Sequence, residues 1–172
     1  MNRQSPSLLA HLRAIGLLPV VVTLIVPYVI RDALPPVLPA LGWLRVIGLL
    51  LITNGLLLFI RTVGLFDAVG RGTLAPWQPT QRLVVVGPYR YCRNPMITGV
   101  LAVLIGEGLW LNSTAILGWA ALFFLINTTY FLLKEEPDLL KRFGADYQHY
   151  KQHVPRWLPS FRPYVQPASP AR

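Results

Sequence analysis

From Thr114 to Leu133 the chain runs twenty residues without one charged side chain. At a rise of about 1.5 Å per residue such a helix is about 30 Å long, the thickness of a bilayer's hydrocarbon core. Three further stretches follow the same rule: 14–30 has no charge, 41–60 has only Arg45, and 96–111 has only Glu107. Across the chain 13% of residues are charged and the mean hydropathy is +0.48, whereas about a quarter are charged in a soluble domain. The expected fold class is therefore all-α integral membrane, with about four transmembrane helices and a C-terminal amphipathic interfacial helix. Within 172 residues there is no room for a soluble catalytic domain beside those spans, so 1–172 reads as one membrane domain and any chemistry belongs to it.

Proline, glycine and charge mark the connections. Pro19 and Pro27 kink the first span, and Pro35, Pro36 and Pro39 stiffen the link to the second. Arg3, His11 and Arg13 precede the first span as in a signal peptide, but two prolines and the lack of a small-x-small site near its end favour a retained anchor. Residues 61–93 carry five arginines among glycines and prolines, and read as a long functional loop with at most a short strand at Leu83–Val86. The turn at Asn112 and Ser113 is so short that the third and fourth spans must form an antiparallel hairpin. Fourteen of the sixteen basic residues fall in the N-terminus, the 61–93 loop and the tail, leaving Arg31 and Arg45 on the other side. The positive-inside rule then places both termini and the active site at the cytoplasmic face of the inner (plasma) membrane. Because the basic residues flank apolar runs, the net charge of +9 points to anionic membrane lipids as partners and not to nucleic acid. The single cysteine, Cys92, excludes an intrachain disulfide. From Lys134, apolar residues Leu139, Leu140, Phe143, Tyr147, Tyr150 and Val154 recur at helical spacing between basic ones, so the tail 134–160 should lie amphipathically on the cytoplasmic membrane surface. The prolines from Pro155 onward end that helix and should leave a disordered end.

Two local signals could carry chemistry. In Gly87-Pro-Tyr-Arg-Tyr-Cys-Arg-Asn-Pro-Met96, Asn94 is a good N-cap and Pro95 a good first helical residue. The free amides of that helix start, with Arg90 and Arg93, would make an anion site at the membrane boundary. The plainer alternative is a capped helix flanked by interface arginines and belt tyrosines. In Lys134-Glu135-Glu136-Pro137, two adjacent carboxylates stand where basic residues are usual, and Lys134, Arg93 or Arg142 could neutralise them. Both signals lie at the same end of one hairpin, so a ligand with an amino-acid carboxylate and a nearby cationic centre would satisfy both.

Other features are structural. His149 and His153, four apart, lack a third ligand at zinc spacing and read as a solvated face, so no metal is expected. Gly48 with Gly55, and Gly99 with Gly106, recur at seven and mark close helix packing. Arg45 and Glu107 both reach the outer half of the bilayer, where each needs a partner, and are expected to face each other or share a polar cavity, the alternative being that each snorkels separately to the outer interface.

Residues from about 70 to 159 resemble the isoprenylcysteine carboxyl methyltransferase and phospholipid methyltransferase superfamily of integral membrane enzymes. The matching elements are Gly70-Arg-Gly-Thr-Leu-Ala-Pro76, the 87–95 motif with Gly99, Glu135-Glu136, Phe143-Gly-Ala-Asp-Tyr147 with Tyr150, and Val154-Pro155-Arg156, in family order. The resemblance implies S-adenosylmethionine as methyl donor, contacted at Gln81, Arg82, Leu83, Val84, Tyr89, Asn94, Pro95, Met96, Ile97 and Glu135. Two departures bear on it: the family's commonest motif has His where this chain has Asn94, and Tyr where it has Ile97. Prenylcysteine enzymes also carry a substrate-binding arginine at the position of Phe131, which argues against a prenylcysteine carboxylate as acceptor.

What the resemblance implies is a membrane methyltransferase acting on a lipophilic small-molecule or lipid acceptor that enters from the bilayer. Glu136 and Arg93 are the candidate catalytic residues, Glu136 as base should the nucleophile be an amine. Alternatives are methylation of a phospholipid headgroup amine, and a non-catalytic membrane subunit that binds anionic lipid or a partner. No glycine fingerprint follows a strand, which excludes a Rossmann-type methyltransferase.

Overall fold

The structure, a computed structural model, describes residues 18–39, 41–70 and 83–165, with side chains of the second stretch described to Leu65. The described residues are helical and contain no strand. Helix α1 is Leu18–Ile30, α2 Gly42–Gly70, α3 Pro95–Trp110 and α4 Thr114–Tyr130. A π turn, Phe131–Glu135, joins α4 without a break to α5, Glu136–His153. Two helical runs are long and apolar enough to cross a membrane, Gly42–Leu65 and Thr114–His153, while α1 and α3 are shorter. Only 17% of each run's apolar window is buried, so most of these side chains face outward, as a bilayer allows and water does not.

Both π turns have one cause. Val21–Ile25 and Phe131–Glu135 each end two residues before a proline, Pro27 and Pro137. Proline has no amide to give and its ring crowds the carbonyl four residues back, so the preceding turn widens. The amides of Val26 and Glu136 accordingly bond five residues back, to the oxygens of Val21 and Phe131.

Glycines set the packing of α2 on α3. A Cβ on Gly48 would lie 2.7 Å from the Gly106 carbonyl oxygen, and one on Gly55 would lie 2.6 Å from that of Gly99. The two helices are therefore antiparallel with backbones in contact at two points seven residues apart, as the glycine spacing led us to expect. At one end of the helices, the turn between α3 and α4 is tied to the link after α1. Ser113 Oγ donates to Arg31 O at 2.5 Å, Thr114 Oγ1 to Pro35 O at 2.8 Å, and Asn112 Nδ2 to Leu38 O at 3.3 Å. The opposite end is left for residues 83–94 and 131–165.

Four expectations need correction. Helix α2 continues to Gly70, so residues 61–70 are not loop: Arg61 ends the apolar run, but no proline follows to end the helix. The strand allowed at Leu83–Val86 does not form, because among the described residues no neighbouring strand pairs with it. Arg45 and Glu107 do not meet: Glu107 follows the interface residue Gly106, which turns its side chain about 100° from the seam, and its Oε2 is buried without a partner. The interfacial helix is not separate but continues α4, and residues 155–165 beyond it are pinned to the protein. Ala14–Leu17, the first turn expected of the first span, lies outside the described residues.

Candidate active site

The centre of the free end is Glu136, whose side chain is 5% exposed. Its Oε1 accepts from Arg93 Nη1 at 2.8 Å and from Arg156 Nε at 2.7 Å, and Lys151 Nζ lies 2.7 Å from Oε2. Burial alone would raise the carboxyl's pKa. The hydrogen bond from Arg156, the close ammonium of Lys151 and the charge of Arg93 outweigh that and hold it below the ordinary carboxylate range. A carboxylate held in this way is ionised at neutral pH and is a weaker base than an ordinary glutamate. Glu136 is a buried anion that gathers three cations.

These partners come from distant places in the chain. Arg93 precedes α3, Glu136 opens α5 and Arg156 follows it. Lys151 reaches Glu136 because α5 folds back at Gly144, whose backbone (φ 51°, ψ −124°) leaves the helix there. The fold-back also builds an aromatic cluster of Tyr147, Tyr150, Val154 and Tyr164, against which Leu83, Val85 and Phe143 pack. Tyr150 Oη donates to Tyr89 O at 2.6 Å, fixing the 3₁₀ turn Gly87–Arg90. His149 Nδ1 stands 2.7 Å from Tyr164 Oη, so this histidine belongs to the cluster and not to a solvated face.

Residues 155–164 run back along 90–94 as a strap. Arg93 N donates to Pro155 O at 2.9 Å, Asn94 N to Arg156 O at 3.3 Å, Ser160 N to Tyr91 O at 2.8 Å, and Tyr164 N to Arg90 O at 2.9 Å. The Cys92 thiol donates to Arg156 O and Trp157 O, at 3.2 and 3.1 Å. Trp157 packs on Phe131 and Phe124, so the place of the arginine of prenylcysteine enzymes is covered by an indole.

Glu135 differs sharply from its neighbour. It is half-buried, and no basic side chain of the described residues lies within ion-pair distance. Burial raises its pKa, opposed by the more distant charge of Arg142 and a hydrogen bond from Tyr130. Across the hairpin, α3 starts at Pro95 as expected, but the Asn94 side chain makes no capping bond, a further correction. The Asn94 backbone (φ −124°, ψ 55°) is not helical, and its carbonyl accepts from both the amide and the hydroxyl of Thr98, each at 3.0 Å. The amides of Met96 and Ile97 are therefore not taken by the cap.

Of the residues expected at a cofactor, Tyr89, Asn94, Pro95, Met96, Ile97 and Glu135 fall at this end, with Leu83 against the aromatic cluster and Val84 buried next to it in sequence. Gln81 and Arg82 lie outside the described residues, as does most of the 70–76 motif. Lys151, Arg156 and Trp157 had no assigned role in the sequence. The prolines at 155, 159 and 163 resembled a disordered end and concealed the strap.

Residues 43–146, more than half of the chain, match the family described as phospholipid methyltransferase. The chain belongs to that family. An uncharacterized protein of Haemophilus influenzae is 41% identical over 64 residues, 37% of this chain and the whole of that protein. No solved structure matches. The match of this phospholipid methyltransferase family member includes Arg93, Glu135, Glu136 and the bend at Gly144, and stops before Lys151 and Arg156.

Proposed function

We propose that this protein is a membrane methyltransferase that uses S-adenosylmethionine and acts on a lipophilic acceptor entering from the bilayer, with its site at the cytoplasmic face. One observation carries the reading: of two adjacent glutamates, Glu136 is held by three cations, whereas Glu135 has no cation within ion-pair distance among the described residues. A half-buried carboxylate without a cation suits a ligand that brings one. The free amides at the start of α3 suit that ligand's carboxylate. S-adenosylmethionine carries both groups, so the residues present fit it.

When bound, the cofactor supplies a methyl group already activated by its sulfonium, so that transfer requires positioning and a dry site more than proton chemistry. Glu135 would hold the cationic end. Met96 and Ile97 amides, with the Asn94 side chain, would hold the carboxylate, and Leu83, Val84 and Tyr89 would flank the adenine. Arg93 and Glu136 act as positioning residues: their ion pair ties the start of α3 to the start of α5, which sets the distance between the two ends of the ligand site.

A second reading, a phospholipid headgroup amine as acceptor, is favoured by Phe131 under Trp157, since that apolar contact offers nothing to an acceptor carboxylate. Incubation of the protein with membrane lipid extract and methyl-labelled cofactor tests both. An alkali-labile labelled ester supports a carboxylate acceptor and a stable labelled amine the headgroup. Cofactor binding without labelled product would leave the non-catalytic subunit.

A further inference from the structure

The strap carries three strongly exposed apolar side chains, Leu158, Phe161 and Val165, with Phe161 fully exposed. The depth at which the strap sits decides what covers them. Trp157 packs with its ring 5.6 Å from that of Phe131 and 5.3 Å from that of Phe124. Both phenylalanines belong to the charge-free run that ends at Leu133. Phe131 is three residues before Lys134 and Phe124 ten, or roughly 5 and 15 Å below the first charge by the helical rise. The indole therefore lies beneath the level of Lys134, at the depth where tryptophans anchor membrane proteins.

The chain cannot leave that depth at once. Trp157 O is held by Thr98 Oγ1 at 3.2 Å and by the Cys92 thiol, and Ser160 N by Tyr91 O. Leu158 follows Trp157 directly and Phe161 follows Ser160, so both start from anchored backbone. Arg162, exposed beside Phe161, adds a cation in a chain of net charge +9.

We infer that residues 155–165 form a membrane-inserted hook: Leu158 and Phe161 lie among the acyl chains of the leaflet that bears the site, and Arg162 lies on the phosphates of anionic lipid. This rests on the depth of Trp157 and not on the methyl-transfer reading. Because Arg156 in the same strap holds Glu136, the lipid surface supports one wall of the site.

Site-directed spin labelling tests it. Phe161→Cys and, separately, Leu158→Cys are made in the full chain, in which the native Cys92 is buried and does not compete for label. Each is reconstituted in nanodiscs of phosphatidylcholine and phosphatidylglycerol, with Gln152→Cys on the polar face of α5 as reference. The depth parameter from oxygen and nickel-chelate accessibility should be positive at 158 and 161 and negative at 152. A negative value at 158 and 161 would overturn the proposal by putting the strap in water. Exclusion of both reagents would also overturn it, since a second copy or a protein partner would then cover these residues.

Discussion

Lys151 Nζ lies 2.7 Å from Glu136 Oε2, although the two residues stand fifteen positions apart in one helical segment. On a straight helix they would be about 22 Å apart. The bend at Gly144 removes that distance, and with it α5 becomes a clasp that returns cations and tyrosines to the carboxylate at its own start. A Cβ at Gly144 would meet nothing within 4 Å, so the demand there is on backbone conformation alone. Gly144→Ala should cost about 1–3 kcal/mol, read as a lower Tm in detergent with weaker ligand binding. Gly118→Ala, in regular helix and equally uncrowded, should be neutral or slightly stabilising. Equal behaviour of the two variants would remove the bend's role.

Removing the charge of Glu136 leaves three cations converging on one another. Glu136→Gln should cost about 3–5 kcal/mol, more than Arg156→Met, after which Arg93 and Lys151 still face the carboxylate. Thermal unfolding of both variants orders them.

Acid should separate the two glutamates. Glu136 titrates below the ordinary carboxylate value of about 4.3, so its stabilisation is full at neutral pH and is lost as pH falls through its lowered folded value. The Tm of Glu136→Gln should not share that acid fall. Glu135 is raised, so it becomes neutral at a higher pH than an ordinary glutamate. Affinity for a cationic ligand should then decline with acidification while the fold is still intact, and Glu135→Gln should bind equally weakly across that range.

The α2–α3 seam tolerates nothing larger than glycine. Gly55→Val and Gly99→Leu each force a side chain into an opposing backbone and should cost about 1–3 kcal/mol or more. Gly64→Ala, with open space around it, should leave the Tm unchanged.

Features written in contiguous residues could be read from the sequence. Thr114–Leu133 announced itself by the absence of charge, Asn94-Pro95 marked the start of α3, and the heptad-spaced glycines gave the α2–α3 contact. Depth in the bilayer does not bring Arg45 to Glu107, because the glycine seam fixes the rotation of α3 as well and turns Glu107 aside. The fate of Glu136 was hidden for a different reason. Its partners at 93, 151 and 156 come together only through the Gly144 bend and the strap, and no local pattern reports a contact across such separations. Pro137 did carry a local signal for the π turn at Phe131–Glu135, legible once Pro27 shows the same effect.

The central proposal is that Glu135, unpaired with a cation among the described residues, holds the cationic end of S-adenosylmethionine, while Glu136 positions the site. Equilibrium binding of S-adenosylmethionine to the full chain in nanodiscs, wild type against Glu135→Gln, tests it most directly, with Tm as the control for folding. The account predicts binding by the wild type, and an affinity at least about tenfold lower in the variant at an unchanged Tm, the loss of about 1.4 kcal/mol expected when a charge-assisted contact is removed. Wild-type affinity in Glu135→Gln, or no binding by the wild type, would contradict it.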